Sequence, residues 1–126
     1  ILKSIVYMKK VKAVVKQICQ AVDQKKGDQI TVLDVSEICG FTNFLIICQG
    51  YNQKQNQTIC DEIREILKKE ARLSPHHLEG YQSAEWILMD YWDFVIHIFS
   101  PQSREFYRLE KLWSDGVKIN PGTLTF

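Results

Sequence analysis

The chain has 126 residues, 45% of them apolar and 25% charged, with 16 basic side chains against 15 acidic ones. That profile is an ordinary globular domain with chain enough for a single sizeable core. A net charge of +1 gives no basic surplus, so the sequence points to contact with protein rather than to direct RNA contact. No apolar run approaches the roughly 20 residues of a membrane-spanning helix. The opening "ILKSIVYMKKVKAVVK" has neither the unbroken apolar stretch nor the cleavage site of a signal peptide. Cys19, Cys39, Cys48 and Cys60 lie far apart and form no C-x-x-C. They read as buried, reduced thiols rather than a zinc site, and the expected setting is the cytoplasm or an organelle matrix, away from any membrane.

In chain order, Val11, Val15, Ile18 and Val22 recur at helical spacing and predict a helix over 4–26, with Gly27 as its C-cap. "DQITVLDV" is short and β-branched and predicts a strand over 29–35. "SEICGFTN" reads as a loop. "FLIICQG", continuously apolar from Phe44 to Gly50, predicts a central strand buried on both faces. A second helix follows, with Asn52 as N-cap and Ile59, Ile63, Ile66, Leu67 and Ala71 as its apolar stripe, ending near Leu73 ahead of Ser74-Pro75. "HHLEG" is a short strand or turn. "SAEWILMD" and "DFVIHIF" are the arms of a hairpin. "SPQSREFYRLEKLW" predicts a third helix with Ser100 as N-cap, Pro101 in its first position and Phe106, Leu109 and Trp113 as its apolar face. The order α-β-β-α-β-β-β-α is an α/β (α+β) class with a single mixed sheet of about five strands flanked by helices. One domain is expected over 1–113, with 114–126 a loosely held tail.

The hairpin is unusual. A two-residue turn favours glycine, yet its centre is Tyr91-Trp92 between Asp90 and Asp93. Both strand faces are largely apolar, so any part that helices leave open is a partner surface. For chemistry there is little. Asp90 and Asp93 suit backbone bonding in a turn, and Asp34 is a lone strand carboxylate. His76-His77 has no ligand at metal spacing, and His97 reads as a hydrogen-bonded core histidine. Gly50-Tyr51-Asn52 before a helix is a weak phosphate-binding signal. The reading is of no enzyme, no cofactor and no metal.

Six stretches then occur together and in order: Leu33-Asp34-Val35, "TNFLIICQG", Leu78-Glu79-Gly80, "AEWILMDYWD", "VIHIF" and "REFYRLEKLW". From about Lys26 to Trp113 the chain resembles the Iojap family, the ribosomal silencing factors. The resemblance implies a bacterial or organellar protein that binds the large ribosomal subunit through ribosomal protein L-fourteen. It thereby blocks joining with the small subunit and represses translation. It also implies a nucleotidyltransferase-like fold without the active site, and a homodimer when free. The alternatives are a degenerate nucleotidyltransferase that still binds nucleotide at Gly50–Asn52, and a plain homodimerisation module. The expected contact residues are Trp86, Asp90 and Tyr91 from the hairpin, then Tyr107 and Arg108 from the last helix. The chain departs from the family pattern at Asn43, usually Asp, and at Trp92, usually Gly; Trp92 is the candidate dimer contact.

Overall fold

The valines and isoleucines spaced along the first and second helices bury one continuous seam, and this seam sets the architecture. The computed structural model describes the backbone of residues 2–120 and the side chains from residue 5 onward. The elements run α1 (Leu2–Gln24), β1 (Asp28–Asp34), β2 (Phe44–Gln49), α2 (Gln53–Ala71), β3 (His77–Glu79), β4 (Trp86–Asp90), β5 (Phe94–Phe99), α3 (Pro101–Tyr107), α4 (Leu109–Leu112) and β6 (Val117–Ile119). The strands form one sheet in the order β3-β4-β5-β2-β1-β6. Among the described residues only β2 and β5 pair in parallel, and the other four pairings are antiparallel. The fold is α+β with a six-stranded mixed sheet.

Helices α1 and α2 cover one face. Val11, Val15, Ile18 and Val22 of α1 and Ile59, Ile63 and Leu67 of α2 pack against Val32, Phe44, Ile46, Ile87, Met89, Phe94, Ile96 and Ile98. These strand residues sit two apart, as one face of a pleated strand requires. On the opposite face Leu33, Val35, Leu45 and Val95 make a smaller cluster, with Cys39, Leu88 and Trp113 against it. β2 and β5 therefore carry apolar side chains on both faces, which is why they read as unbroken apolar runs. Cys19, Cys48 and Cys60 are buried free thiols. Burial pushes Cys48 and Cys60 up to about 12, so they stay protonated and inert.

Helix starts follow their sequence signals. The Asn52 side chain accepts from Gln55 N–H at 2.7 Å, and Ser100 Oγ accepts from Ser103 N–H at 3.2 Å with Pro101 in the first helical position. Helix ends do not. Lys26, Arg72 and Arg108 all lie in the left-handed region, at φ 62, 56 and 48, after α1, α2 and α3. At the first of these ends the sequence offers Gly27 as the cap, but the left-handed residue is Lys26. Gly27 instead meets Val22 so closely that an added Cβ would lie 2.5 Å from Cγ1. A cation at the negative end of a helix recovers part of what glycine would have supplied.

Three further expectations change. The single third helix is broken at Arg108, whose left-handed backbone separates α3 from α4. Phe106, assigned to the buried side of that helix, is consequently exposed. Residues 117–119, within the presumed loose tail, form β6 and pair with Val32–Asp34 of β1.

The β4–β5 turn closes without glycine. Trp92 takes φ 73, and its N–H donates to Asp90 Oδ1 at 2.9 Å. Its indole is 62% exposed and stacks on His76, ring centroids 3.8 Å apart. Trp92→Ala keeps the left-handed strain and loses the stack, whereas Trp92→Gly loses the stack but removes the strain. The glycine variant is therefore expected to be about 1 kcal/mol more stable than the alanine variant in urea denaturation. Equal midpoints would show that the turn relaxes out of the left-handed region.

Candidate functional site

The site is the part of the second sheet face that α1 and α2 cannot reach. Alternation along β4 sends Trp86, Leu88 and Asp90 to this face, and β5 sends Val95, His97 and Phe99 beside them. Trp86 is half-buried and is held from three sides. Its ring lies 5.0 Å from Phe99 and 4.6 Å from Tyr107 of α3. Its Nε1–H donates to His97 Nδ1 at 3.0 Å. That bond requires a neutral imidazole with its proton on Nε2. Burial supplies the condition, pushing His97 down to about 4 against an opposing pull from Asp90. The core histidine of the sequence reading is thus the acceptor that fixes the tryptophan.

Next to this nest the surface stays apolar. Tyr107 is 49% exposed and Phe106, edge-on to it at 5.0 Å, is 79% exposed. Across α4, Leu112 is 72% exposed and Phe41 packs edge-on against Trp113 at 6.3 Å. Arg108 and Glu105 pair at 2.9 Å on the rim.

The expected site residues separate. Trp86 and Tyr107 come together, and Arg108 stands nearby on the rim. Asp90 is half-buried and occupied in the turn through Trp92 N–H. Tyr91 is corrected: it follows Ile87 and Met89 onto the helix-covered face, is 4% exposed, and stacks on Phe94 at 5.1 Å. Burial pushes its hydroxyl up to about 12. It is a core residue and cannot anchor a partner. Trp92, the candidate dimer contact, is exposed at the hairpin tip. Phe41, Phe106 and Leu112 were not expected at a surface site. Nothing in the sequence marked Phe106 as exposed, since its spacing from Leu109 and Trp113 assigns it to the buried side of a continuous helix.

The carboxylates have turn duties. Asp34 accepts from Ser36 N–H at 3.0 Å and from Ser36 Oγ at 2.6 Å. Among the described residues no group of three or more His, Cys, Asp or Glu is placed to hold a metal ion. At the start of α2, Tyr51 N–H donates to Gln55 Oε1 at 2.8 Å, and Gln57 Nε2 donates to the Tyr81 carbonyl at 2.9 Å. These polar groups bind the chain to itself. A cleft of about 680 Å³ lies where β2 and β5 end, lined by Gln29, Gln49, Arg104 and Arg108 among others. β2 and β5 send their helices to opposite faces, the geometry at which α/β sheets bind ligands. Here Arg104 fills that role internally. It bonds the Gln29 carbonyl, Gln49 Oε1 at 3.3 Å, Thr31 Oγ1 at 3.1 Å and Glu110 at 3.4 Å, locking α3 to the sheet.

One face of the mixed sheet is covered by α1 and α2, and the other carries Trp86 with Phe106 and Tyr107 of α3 beside it. The family model described as "Ribosomal silencing factor during starvation" matches residues 8–125, and the chain belongs to this family. It is 39% identical over 99 residues to "Ribosomal silencing factor RsfS" of Halalkalibacterium halodurans, covering 79% of this chain and 84% of that one. It is 36% identical over 104 residues to the protein of the same name from Bacillus subtilis, covering 82% and 87%. "Protein Iojap, chloroplastic" of Zea mays is 31% identical over 102 residues, 81% of this chain and 44% of that one. A crystal structure of a Chromobacterium violaceum protein superposes with a TM-score of 0.77 at 30% identity, covering 86% and 88% of the two chains. One from Bacillus halodurans gives 0.74 at 34% identity, covering 86% and 97%. Relatives occur in bacteria and in organelles, and among the described residues no helix is long and apolar enough to cross a membrane.

Proposed function

We propose that the chain is a ribosomal silencing factor that binds the large subunit through ribosomal protein L-fourteen and sterically blocks joining with the small subunit, repressing translation. It works in the bacterial cytoplasm or an organelle matrix, is a homodimer when free, and performs no catalysis. The observation that carries the reading is the Trp86–Tyr107 nest with exposed Phe106 beside it. An immobilised aromatic with an apolar surround and a charged rim has the composition of an interface hot spot. Blocking needs no chemistry: a body seated at the right edge keeps two large surfaces apart. A nucleotide-binding reading has less support, because Tyr51 N–H, Gln57 Nε2 and the Arg104 guanidinium already bond within the chain.

Tyr107→Ala and Trp86→Ala test it. Truncating a central aromatic anchor costs about 2 kcal/mol or more, a factor of roughly thirty in affinity. Trp86→Ala also strips His97 Nδ1 of its donor and lowers the melting temperature, while Tyr107→Ala, half exposed, leaves the fold intact. Both are expected to weaken co-sedimentation with purified large subunits. Wild-type binding by folded Tyr107→Ala and Trp86→Ala would move the contact elsewhere.

A further inference from the structure

The near-neutral charge of the whole chain conceals a segregation. α1 contains Lys3, Lys9, Lys10, Lys12 and Lys16 against one acid, Asp23, so the other residues together are net acidic. By contrast α2, the other long helix, carries four basic and four acidic side chains. Lys9 and Lys10 are exposed and Lys12 is half-buried, and none of the three enters an ion pair among the described residues. Lys9, Lys12 and Lys16 are spaced three and four apart, so they share one side, and about 10 Å of helix holds all three. Lys10 lies on the other side, in a groove it shares with Glu70 and Asp93.

We infer that the outer side of α1, through Lys9, Lys12 and Lys16, contacts the phosphate backbone of RNA. The partner follows from the charge. A one-signed run of flexible cations matches a phosphate chain, which pays no sequence-reading cost and answers to point charges alone. An anionic bilayer is the other polyanion such a helix meets. An interfacial helix, however, needs its apolar side free along its length, and here Val11, Val15, Ile18 and Val22 are consumed by the sheet. The inference adds a second, electrostatic contact to the proposed protein-docking surface. It also revises the expectation of little direct RNA contact, since what matters is where the lysines lie rather than their sum.

The test compares wild type with Lys9→Gln/Lys12→Gln, and uses Lys68→Gln/Lys69→Gln on α2 as the control. Binding to purified large subunits and to a fluorescently labelled RNA duplex is followed between 50 and 200 mM salt. Each phosphate contact contributes roughly 0.7–0.9 to the slope of log affinity against log salt. The α1 variant is expected to show a slope shallower by roughly 1.4–1.8 on both probes and an unchanged melting temperature, and the α2 variant the wild-type slope. Identical slopes for wild type and the α1 variant overturn the inference. So does binding to phosphatidylserine vesicles without binding to the duplex, which would assign the face to lipid. The duplex probe does not involve the aromatic surface. Loss of slope there, with Tyr107→Ala still binding subunits normally, would sink the docking proposal and leave this one standing.

Discussion

Ile63→Ala is expected to destabilise the protein by about 2–5 kcal/mol, because the side chain is wholly buried and its removal leaves a cavity between α2 and the sheet. Ile63 lies between Ile59 and Leu67 on the α2 stripe, all three fully buried against the strands. The cost has two parts, lost transfer of the apolar atoms from water and lost contacts around the void. The seam joins two helices to strands far apart in sequence, so no local adjustment refills the space. Chemical denaturation at neutral pH measures the effect. A midpoint within error of wild type would mean that this face of α2 is open to solvent or to a partner.

Acid is expected to remove roughly 3 kcal/mol of stability through His97 alone, about 2 kcal/mol of it by pH 5. The group titrates at about 4 in the folded protein, below its ordinary 6.5, because it is buried and its Nδ1 accepts from Trp86. Above pH 6.5 neither the folded nor the unfolded chain holds the proton, and the stability is fully present. As pH falls from 6.5 toward 4 the unfolded chain takes up a proton that the folded one refuses, so the unfolded state gains and stability declines. Below about 4 both states are protonated and this contribution is flat. His97→Gln should flatten the decline between pH 6.5 and 5, a window above most carboxylate titration. Parallel pH profiles for wild type and His97→Gln would show that the imidazole charges without penalty. Because His97 stays neutral in the folded protein until about pH 4, its bond to Trp86 should persist through that window, and large-subunit binding by the folded protein should fall only as the pH approaches 4.

Legibility followed the kind of signal each segment carries. Helical faces in α1 and α2 were readable because their apolar spacing is regular and both are long. The starts at Asn52 and Ser100-Pro101 were readable because N-caps depend on side-chain chemistry. The ends of α1 and α2 were readable to within two residues, but their caps and the break at Arg108 were not, since Lys26, Arg72 and Arg108 adopt a backbone that nothing in a lysine or arginine announces. The break at Arg108 hid the exposure of Phe106, and with it part of the site. β6 was missed because three residues after Gly116 are too few to show a period, and only pairing with β1 makes them a strand. Tyr91 was within reach. Its alternation with Ile87 and Met89 already assigned it to the core face, but its place beside the turn argued for the surface, and packing prevailed. The Trp86 nest draws on β4, β5 and α3, so no single stretch of sequence displays it. Phe41 stands alone in a loop, where no periodic signal exists, and Leu112, three residues after Leu109 and next to Trp113, reads as part of a helical face although it is exposed.

The most direct measurement of the central claim is sedimentation of the protein through a sucrose gradient with separated ribosomal subunits, followed by addition of the missing subunit. The account predicts that the protein travels with free large subunits, is absent from the joined-ribosome peak, and reduces that peak in proportion to the amount added, with Tyr107→Ala requiring far more protein for the same effect. Co-migration with joined ribosomes, or a joined peak unchanged at saturating protein, would contradict it.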